Sequence, residues 1–485
     1  MSRENLMDKK AIKNYLYNTS YQLLIIILPL ITTPYVSRVL GATGIGAYNY
    51  TNSITQYFIL FGCIGLNLYG SREIAYYQSD NVKRDRVFLE LVLLRLITVS
   101  ISIIVYYFTL IKFSKYSTIF LIQIIDIVAS IVDVSWFFQG LEDFKKTVIR
   151  NFIIRIVCVI LIFSFVKSPE DIYIYVLCYS STLLIGNISL WFYLPKYIKK
   201  SNLKNINLVR HIKPALILFF PQIATSLYTL LDKTMIGYIT NNTAEVAYYT
   251  QSQVIVKTIL ALLTSLGTVM MPRIANLFHS NEMEQIKDQL NASFKFVSFL
   301  SFPMMFGLMA ISNNLVPWFF GPGYEKVIIN MIVISPIVVF IGFSNIIGVQ
   351  YLLPLGKQFE YTVSVVTGMI INCILNFLLI PHLLSVGAGL ATVFAELGVT
   401  VVQIFCIRKE FNFRNMLRFN YKYIISSFIM FLPVYLLSNK LTSSFIHTMV
   451  CIMLGIGIYI GLLLISKDSI LIDFIKKIPF LNKFL

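Results

Sequence analysis

Long apolar runs separated by short polar stretches, mostly basic, recur along almost the whole chain. Each run is long enough to cross the hydrocarbon core of a bilayer as a helix, which takes roughly 20 residues. By this rule the pattern predicts about fourteen transmembrane helices, at residues 15–36, 45–69, 87–110, 117–138, 148–166, 172–193, 215–239, 246–271, 294–320, 327–353, 361–380, 386–407, 423–437 and 445–465. Helix is the predicted form because backbone in contact with lipid must satisfy its own hydrogen bonds. The expected fold class is therefore an all-α polytopic membrane protein. No small-residue cleavage site follows the first run, so a retained first helix is expected rather than a signal peptide.

Composition agrees with the pattern. Of 485 residues, 57% are hydrophobic and 13% charged, far from the balance of a soluble domain. The net charge of +17 would suit a nucleic-acid partner, so the placement of the cations has to decide. With the amino terminus set in the cytoplasm, Arg38, Lys112, Lys115, Lys167, Lys326 and Lys440 fall outside, and Arg95, Arg155, Lys233 and Lys257 fall within helices. Every other Lys and Arg lies on the cytoplasmic side, which is the positive-inside asymmetry. The charge thus reports topology, with both termini cytoplasmic and no nucleic acid implied. The six cysteines, all in apolar runs and without a CxxC pair, read as packing residues, and no metal site is expected.

The longest basic loop, 195–214, divides the chain into an N-terminal lobe (1–194), a cytoplasmic linker, a C-terminal lobe (215–410) and two further helices (411–485). Two echoes support this division: "GAYNYTNSI" from Gly46 with "VAYYTQSQV" from Val246, and "GLEDFKKTVIRN" from Gly140 with "LGKQFEYTVSVV" from Leu355. Six helices per repeat is an even number, so the two lobes are expected to be related by a pseudo-two-fold axis along the membrane normal. Pro29 and Pro34 interrupt the first predicted helix and Pro221 the seventh. Interruptions in corresponding helices mark a cavity or hinge, although proline is also simply common in membrane helices.

Charges inside the runs are the candidate chemistry. Besides the four cations, Glu90, Asp126, Asp133, Asp232 and Glu396 fall within predicted helices. Each costs roughly 2.5–3.5 kcal/mol at the bilayer centre and must face protein or water. In the fourth helix Gln123, Asp126, Ser130 and Asp133 sit on one helical face, and in the eighth Gln253, Lys257, Thr264 and, more loosely, Thr268 do the same. Such stripes line a water-filled cavity or a hydrogen-bonded seam. Within "LYTLLDKTMIGYI", Asp232 and Lys233 point about 100° apart and need separate partners. Lys233 is expected in the cavity or snorkelling from the helix end, and Asp232 against a neighbouring helix.

No GxxxxGK[ST] loop is present, and no outside loop could house a catalytic domain, which argues for a secondary transporter rather than an enzyme. Six stretches in order carry a resemblance: "SRVLGATGIGAYNY" from Ser37, "GLNLYGSREIA" from Gly65, "DVSWFFQGLEDFKKTVIRN" from Asp133, "LYTLLDKTMIGY" from Leu227, "VAYYTQSQVIVKTI" from Val246 and "NFLLIPHLLSVGAGLATVFAE" from Asn376. Together they resemble the Wzx-like polysaccharide repeat-unit flippases, in the superfamily of multidrug, oligosaccharidyl-lipid and polysaccharide exporters. The resemblance implies a two-lobed bundle in the bacterial cytoplasmic membrane that moves a polyprenyl-pyrophosphate-linked oligosaccharide by alternating access. It also implies coupling to a Na+ or H+ gradient or the membrane potential without a bound cofactor, and a polysaccharide polymerase and chain-length machinery as partners.

Arg38 matches a basic position that serves the cavity in the related lipid II flippases, and Arg72 and the Asp232–Lys233 pair match recurrent family positions. Candidate substrate-binding residues are Arg38, Arg72, Arg95, Arg155, Lys233 and Lys257, because a pyrophosphate needs cations in water-accessible space. Candidate cavity or coupling residues are Asp126, Asp133, Asp232, Gln253 and Glu396. Tyr48, Tyr50, Tyr57 and Tyr228 would stack on sugars or form interfacial belts. A multidrug exporter of the same superfamily is the alternative, since acids match cations inside the helices, and a membrane polymerase is a more distant one.

Overall fold

Apolar runs and polar turns fold as helices joined by short connections. The computed structural model of the chain describes residues 3–198, 206–410 and 413–472, with side chains from residue 27 onward except at 220, 221, 224, 225, 266, 268, 269 and 413–419. No strand occurs among the described residues. The α-helices are α1 (Arg3–Cys63), α2 (Leu66–Tyr76), α3 (Asn81–Tyr106), α4 (Ser117–Ile131), α5 (Ser135–Gly140), α6 (Phe144–Phe165), α7 (Ile172–Ser189), α8 (Val209–Thr240), α9 (Thr243–His279), α10 (Met283–Phe320), α11 (Glu325–Ile334), α12 (Ile337–Asn345), α13 (Gln358–Leu383), α14 (Ser385–Ile407), α15 (Phe413–Lys440) and α16 (Phe445–Ile465). Short π-helical stretches follow α3 (Tyr107–Ile111) and α12 (Ile346–Leu352).

Among the described residues, 11 helical spans are long and apolar enough to cross a membrane. They match the third to sixth and the eighth to fourteenth predicted segments. The first segment and most of the second lie on α1, the end of the second reaches α2, and the seventh lies on α8. The shortest predicted run, 423–437, is part of a 28-residue helix.

In α1 the break falls elsewhere than proline suggested. α1 continues through Pro29 and Pro34 with helical dihedrals and departs from them at Gly41 (φ 66°, ψ 176°), a conformation open to glycine and costly for other residues. The Pro221 side chain and residues 199–205 of the linker lie outside the described residues. A second break, at Ile64–Gly65, separates α1 from α2, and a third, at 132–134, separates α4 from α5.

The chain forms two compact units, one of residues 1–237 and 242–247, the other of 238–241 and 248–485. α8 therefore packs mainly within the first unit. The six-helix boundary near 195–214 concerns internal repetition, which compactness does not test. In the first unit α4 packs along α7, and α2 against α5, where the Trp136 indole covers Gly70. Phe88, Trp136, Phe137 and Phe138 belong to one of its apolar clusters. In the second unit α13 packs along α14, while α15 and α16 close on α10.

Three helix connections share one turn. Before α6, α10 and α13 a residue with positive φ (Glu142, Asn281 and Gly356) donates its N–H three residues back. The next residue donates five residues back, to the carbonyls of Phe138, Leu277 and Leu352. This closes the helix ends by backbone alone. The echo between "GLEDF" and "LGKQF" thus includes a common turn geometry.

Close approach fixes one glycine by size. A Cβ on Gly46 would lie 1.7 Å from the Thr243 carbonyl oxygen, whereas one on Gly457 would meet nothing within 4 Å. Gly46→Ala is expected to destabilise the protein by about 1–3 kcal/mol through overpacking, and Gly457→Ala to be neutral or slightly stabilising. Thermal unfolding of the two purified variants checks this. Equal midpoints would show that the α1–α9 approach tolerates a methyl group.

Candidate functional site

In the first unit three arrangements hold Glu90 with His211, Arg95 and Asp126, apart from the buried Arg84–Asp85 pair and the separate Asp232 and Glu245. The first centres on Glu90 of α3, which is fully buried. Its Oε2 accepts from His211 Nε2 at 2.9 Å and from Arg210 Nη2, and its Oε1 from the Asn207 N–H at 2.8 Å and Arg86 Nε at 3.2 Å. His211 Nδ1 meets the Tyr69 hydroxyl at 2.8 Å. A neutral imidazole protonated on Nε2 satisfies these two contacts, donating to Glu90 and accepting from Tyr69, while Arg210 Nε also lies against Nε2 at 3.2 Å. Burial holds the His211 pKa below its usual value, aided by Arg210 and opposed by Glu90. The sequence placed Glu90 in the membrane but could not find partners 117 and 121 positions away.

The second arrangement holds the break between α4 and α5. Arg95 is 2% exposed and donates to the Asp133 carbonyl at 2.5 Å, to Asn67 Oδ1, and more weakly to Cys63 Sγ at 3.5 Å. No carboxylate pairs with it among the described residues. Trp136 Nε1 also donates to the Asp133 carbonyl, at 3.0 Å, while Trp191 Nε1 reaches the Val132 carbonyl at 2.7 Å and Asn187 Nδ2 that of Ala129 at 2.8 Å. Arg95 is thus bound to backbone rather than open to a substrate. Asp133 lies in the break instead of on the expected helical stripe, and its carboxylate accepts the Ser135 N–H at 2.9 Å. Ser130 is turned onto its own helix, at the Ile127 carbonyl.

The third keeps the remainder of that stripe. Gln123 Oε1 accepts from Thr55, whose hydroxyl also meets Tyr106, each at 2.9 Å. Asp126, 6% exposed, faces α7 at Ser180. Nearby, the Tyr48 ring packs on Tyr175 (5.1 Å) and Tyr179 (5.8 Å), and Arg155 donates to the Tyr179 hydroxyl at 3.4 Å.

The other candidates are dispersed. Arg38 is exposed near the Gly41 break. Arg72 lies 3.9 Å from Glu73 and over the faces of Tyr69 and Tyr76. On α8, Asp232 is buried and Lys233 half-buried, as expected of neighbours pointing apart. Next to them Thr234 bonds Ser53 at 3.0 Å and Tyr57 at 3.4 Å, and the Tyr50 ring covers Gly237. Tyr228 is half-buried on the same helix.

In the second unit Gln253 donates to the Tyr249 hydroxyl at 2.5 Å, which meets Thr392 Oγ1 at 2.9 Å. Lys257, one turn along α9, is exposed, and Thr264 bonds its own helix backbone. The Thr268 side chain lies outside the described residues. Glu396 on α14 is buried. Buried amides that the sequence reading did not single out pair Asn376 with Asn372 and Asn330 with Ser385, both at 3.0 Å. Their period-four spacing on α13 was the available signal. An apolar cavity of about 410 Å³ lies between α10, α15 and α16, lined by Phe299, Met304, Met430, Gly455 and Tyr459 among others. No group of three or more His, Cys, Asp or Glu suited to a metal occurs among the described residues.

A protein family described as "Polysaccharide biosynthesis protein" matches residues 11–278, more than half of the chain. The chain is 25% identical to a protein of Escherichia coli (strain K12) named "Putative O-antigen transporter" over 389 residues, 79% of this chain and 93% of the relative. A protein of Shigella dysenteriae with the same name is 23% identical, covering 79% and 96%. Among solved structures, the lipid II flippase MurJ in an inward closed conformation has a TM-score of 0.74 at 16% identity, covering 95% of this chain and all of that one. An inward-facing multidrug resistance MATE transporter of the MOP superfamily has a TM-score of 0.61 at 13% identity, covering 81% and 97%. The two-lobed helical fold expected from the sequence is the fold these structures share. The relatives bear the names of transporters, not enzymes.

The His211 contacts carry a pH signature. Because folding holds the ring below its unfolded pKa of about 6.5, its neutral form contributes fully above that pH and loses its contribution as the pH falls through it. Thermal unfolding followed from about pH 8 to pH 5 should show a steeper acid loss for the native protein than for His211→Gln. Parallel curves would place the acid sensitivity elsewhere.

Proposed function

This chain belongs to the polysaccharide biosynthesis protein family, and we propose that it is a flippase for polyprenyl-pyrophosphate-linked oligosaccharides. The observation that carries this reading is the polar interior of its membrane-spanning helices, in a family and a fold whose named members are transporters. The substrate has three parts, and each meets a suitable chemistry. A pyrophosphate suits Arg38, Arg72 and Lys233 in the first unit and, separately, Lys257 in the second. A glycan suits the tyrosines on α1 and the hydroxyls beside them. A hydrocarbon chain suits the apolar cavity against α15 and α16.

On this reading the protein lies in the bacterial cytoplasmic membrane with both termini and the basic 195–214 stretch cytoplasmic. It works by alternating access coupled to a Na+ or H+ gradient or the membrane potential, and delivers its substrate to a polysaccharide polymerase and its chain-length machinery. Buried polar groups held by side chains from other helices give the lobes the stiffness such a cycle needs.

Deleting the gene should cause a lipid-linked oligosaccharide to accumulate on the cytoplasmic face. Accumulation on the outer face would instead indicate a polymerase, and no accumulation with new drug sensitivity a multidrug exporter. Lys257→Ala should insert normally and flip roughly tenfold more slowly or worse, since a lost charge-assisted hydrogen bond is worth about 1.5–3 kcal/mol. Flipping measured in proteoliposomes beside membrane abundance checks it. Loss of the protein itself would make Lys257 structural.

A further inference from the structure

The acids in the first unit's membrane-spanning helices differ in what they meet. Glu90 is surrounded by donors and cations, and Asp133 caps the start of α5. Asp126 has neither kind of support. It is 6% exposed, and no ion pair reaches it among the described residues. Its place in the span Ser117–Gly140 puts it about 14 Å along a helix rising 1.5 Å per residue, close to the middle of a core about 30 Å thick.

The surroundings are polar but not basic. From α7 comes the Ser180 hydroxyl, 1% exposed and itself without a hydrogen bond of good geometry. Among the described residues, the other titratable groups facing the site are Tyr48 on α1, Tyr106 on α3 and Tyr179 on α7, with Tyr175 on α7 and Cys158 on α6 beside Tyr48. Arg155 on α6 is a cation near these rings, and it reaches the Tyr179 hydroxyl. An isolated ionised carboxylate in such a place is so costly that the group neutralises instead. Once protonated, it can also donate to a hydroxyl oxygen, a role open to Ser180.

We propose that Asp126, with Ser180 beside it, is a proton-binding site of the first unit, occupied in this structure and emptied when the α4–α7 seam admits water. On release the Oδ–H bond breaks, its electron pair stays on the carboxylate, and the proton passes to water. Uptake reverses the step. This deepens the proposed flippase function by naming the proton as the coupling ion, and it rests on that function only for its consequence in transport.

Infrared difference spectroscopy of the native protein and Asp126→Asn, both reconstituted in lipid at neutral pH, tests occupancy directly. The native protein should show the carbonyl stretch of a protonated carboxylic acid, and Asp126→Asn should lack it. Its presence in both, or absence from both, overturns the proposal. Asp126→Asn should reach native abundance, since a neutral isostere replaces a neutral group. If it does not fold, Ser180→Ala takes its place, with a shift of the band expected and an unmoved band overturning the assignment. A second arm measures flipping of a lipid-linked oligosaccharide in proteoliposomes under an imposed pH gradient. The gradient should change the native rate severalfold and leave the Asp126→Asn rate unmoved, and an equal response of both overturns the coupling role. A native protein that flips nothing would refute the flippase function, while the infrared arm would still decide the proton site.

Discussion

A backbone carbonyl freed inside a bilayer has no water to turn to, and the first unit is organised around that constraint. The α4–α5 break frees carbonyls at Ala129, Val132 and Asp133, which receive hydrogen bonds from Asn187, Trp191, Arg95 and Trp136. Those donors come from α7 and its continuation, α3 and α5, so closing one gap ties several elements together. Arg95 also reaches Asn67, just past the Ile64–Gly65 break, so one guanidinium serves two interruptions. Its planar fork of donors suits this in a way a lysine would not.

The same economy sorts the charges. A buried ion is tolerable only when hydrogen bonds replace its hydration, and Glu90 obtains four donors for that purpose. The cluster joins α3 to the start of α8 and, through His211, to Tyr69 on α2. Charges committed in this way are part of the scaffold. Arg38 and Lys257, by contrast, are exposed, so burial separates scaffold charges from surface charges in a way that the residue types alone do not.

How much of this was legible in the sequence follows from the range of each interaction. Hydrophobic run length, a local property, placed the helices, and even the shortest run, 423–437, proved to be part of a long helix. Proline marked the wrong sites in α1, because neighbouring groups can satisfy a helix at Pro29 and Pro34, while the true break needed only the freedom of Gly41. The stripe on α4 was half right: periodicity found Gln123 and Asp126, but carrying it to Asp133 assumed a helix that ends at Ile131. Arg95 was counted among substrate cations because its partners are carbonyls, which every residue has and no sequence pattern reveals. The union of Glu90 with Arg210 and His211 spans more than a hundred positions and has no local trace.

The α4–α5 break also sets a problem of order during synthesis. Asn187 and Trp191 stand 58 and 59 positions after the carbonyls they satisfy. At the usual pace of translation that separation is a delay of about 3–12 s. In that interval the half-made span would present bare carbonyls to lipid. The turns before α6, α10 and α13 need no such wait, since their hydrogen bonds close within six residues and their hairpins can enter the bilayer as soon as they leave the ribosome. The Ala129 and Val132 carbonyls therefore close only once α7 and its continuation have been made, whereas the Asp133 carbonyl has donors from α3 and α5.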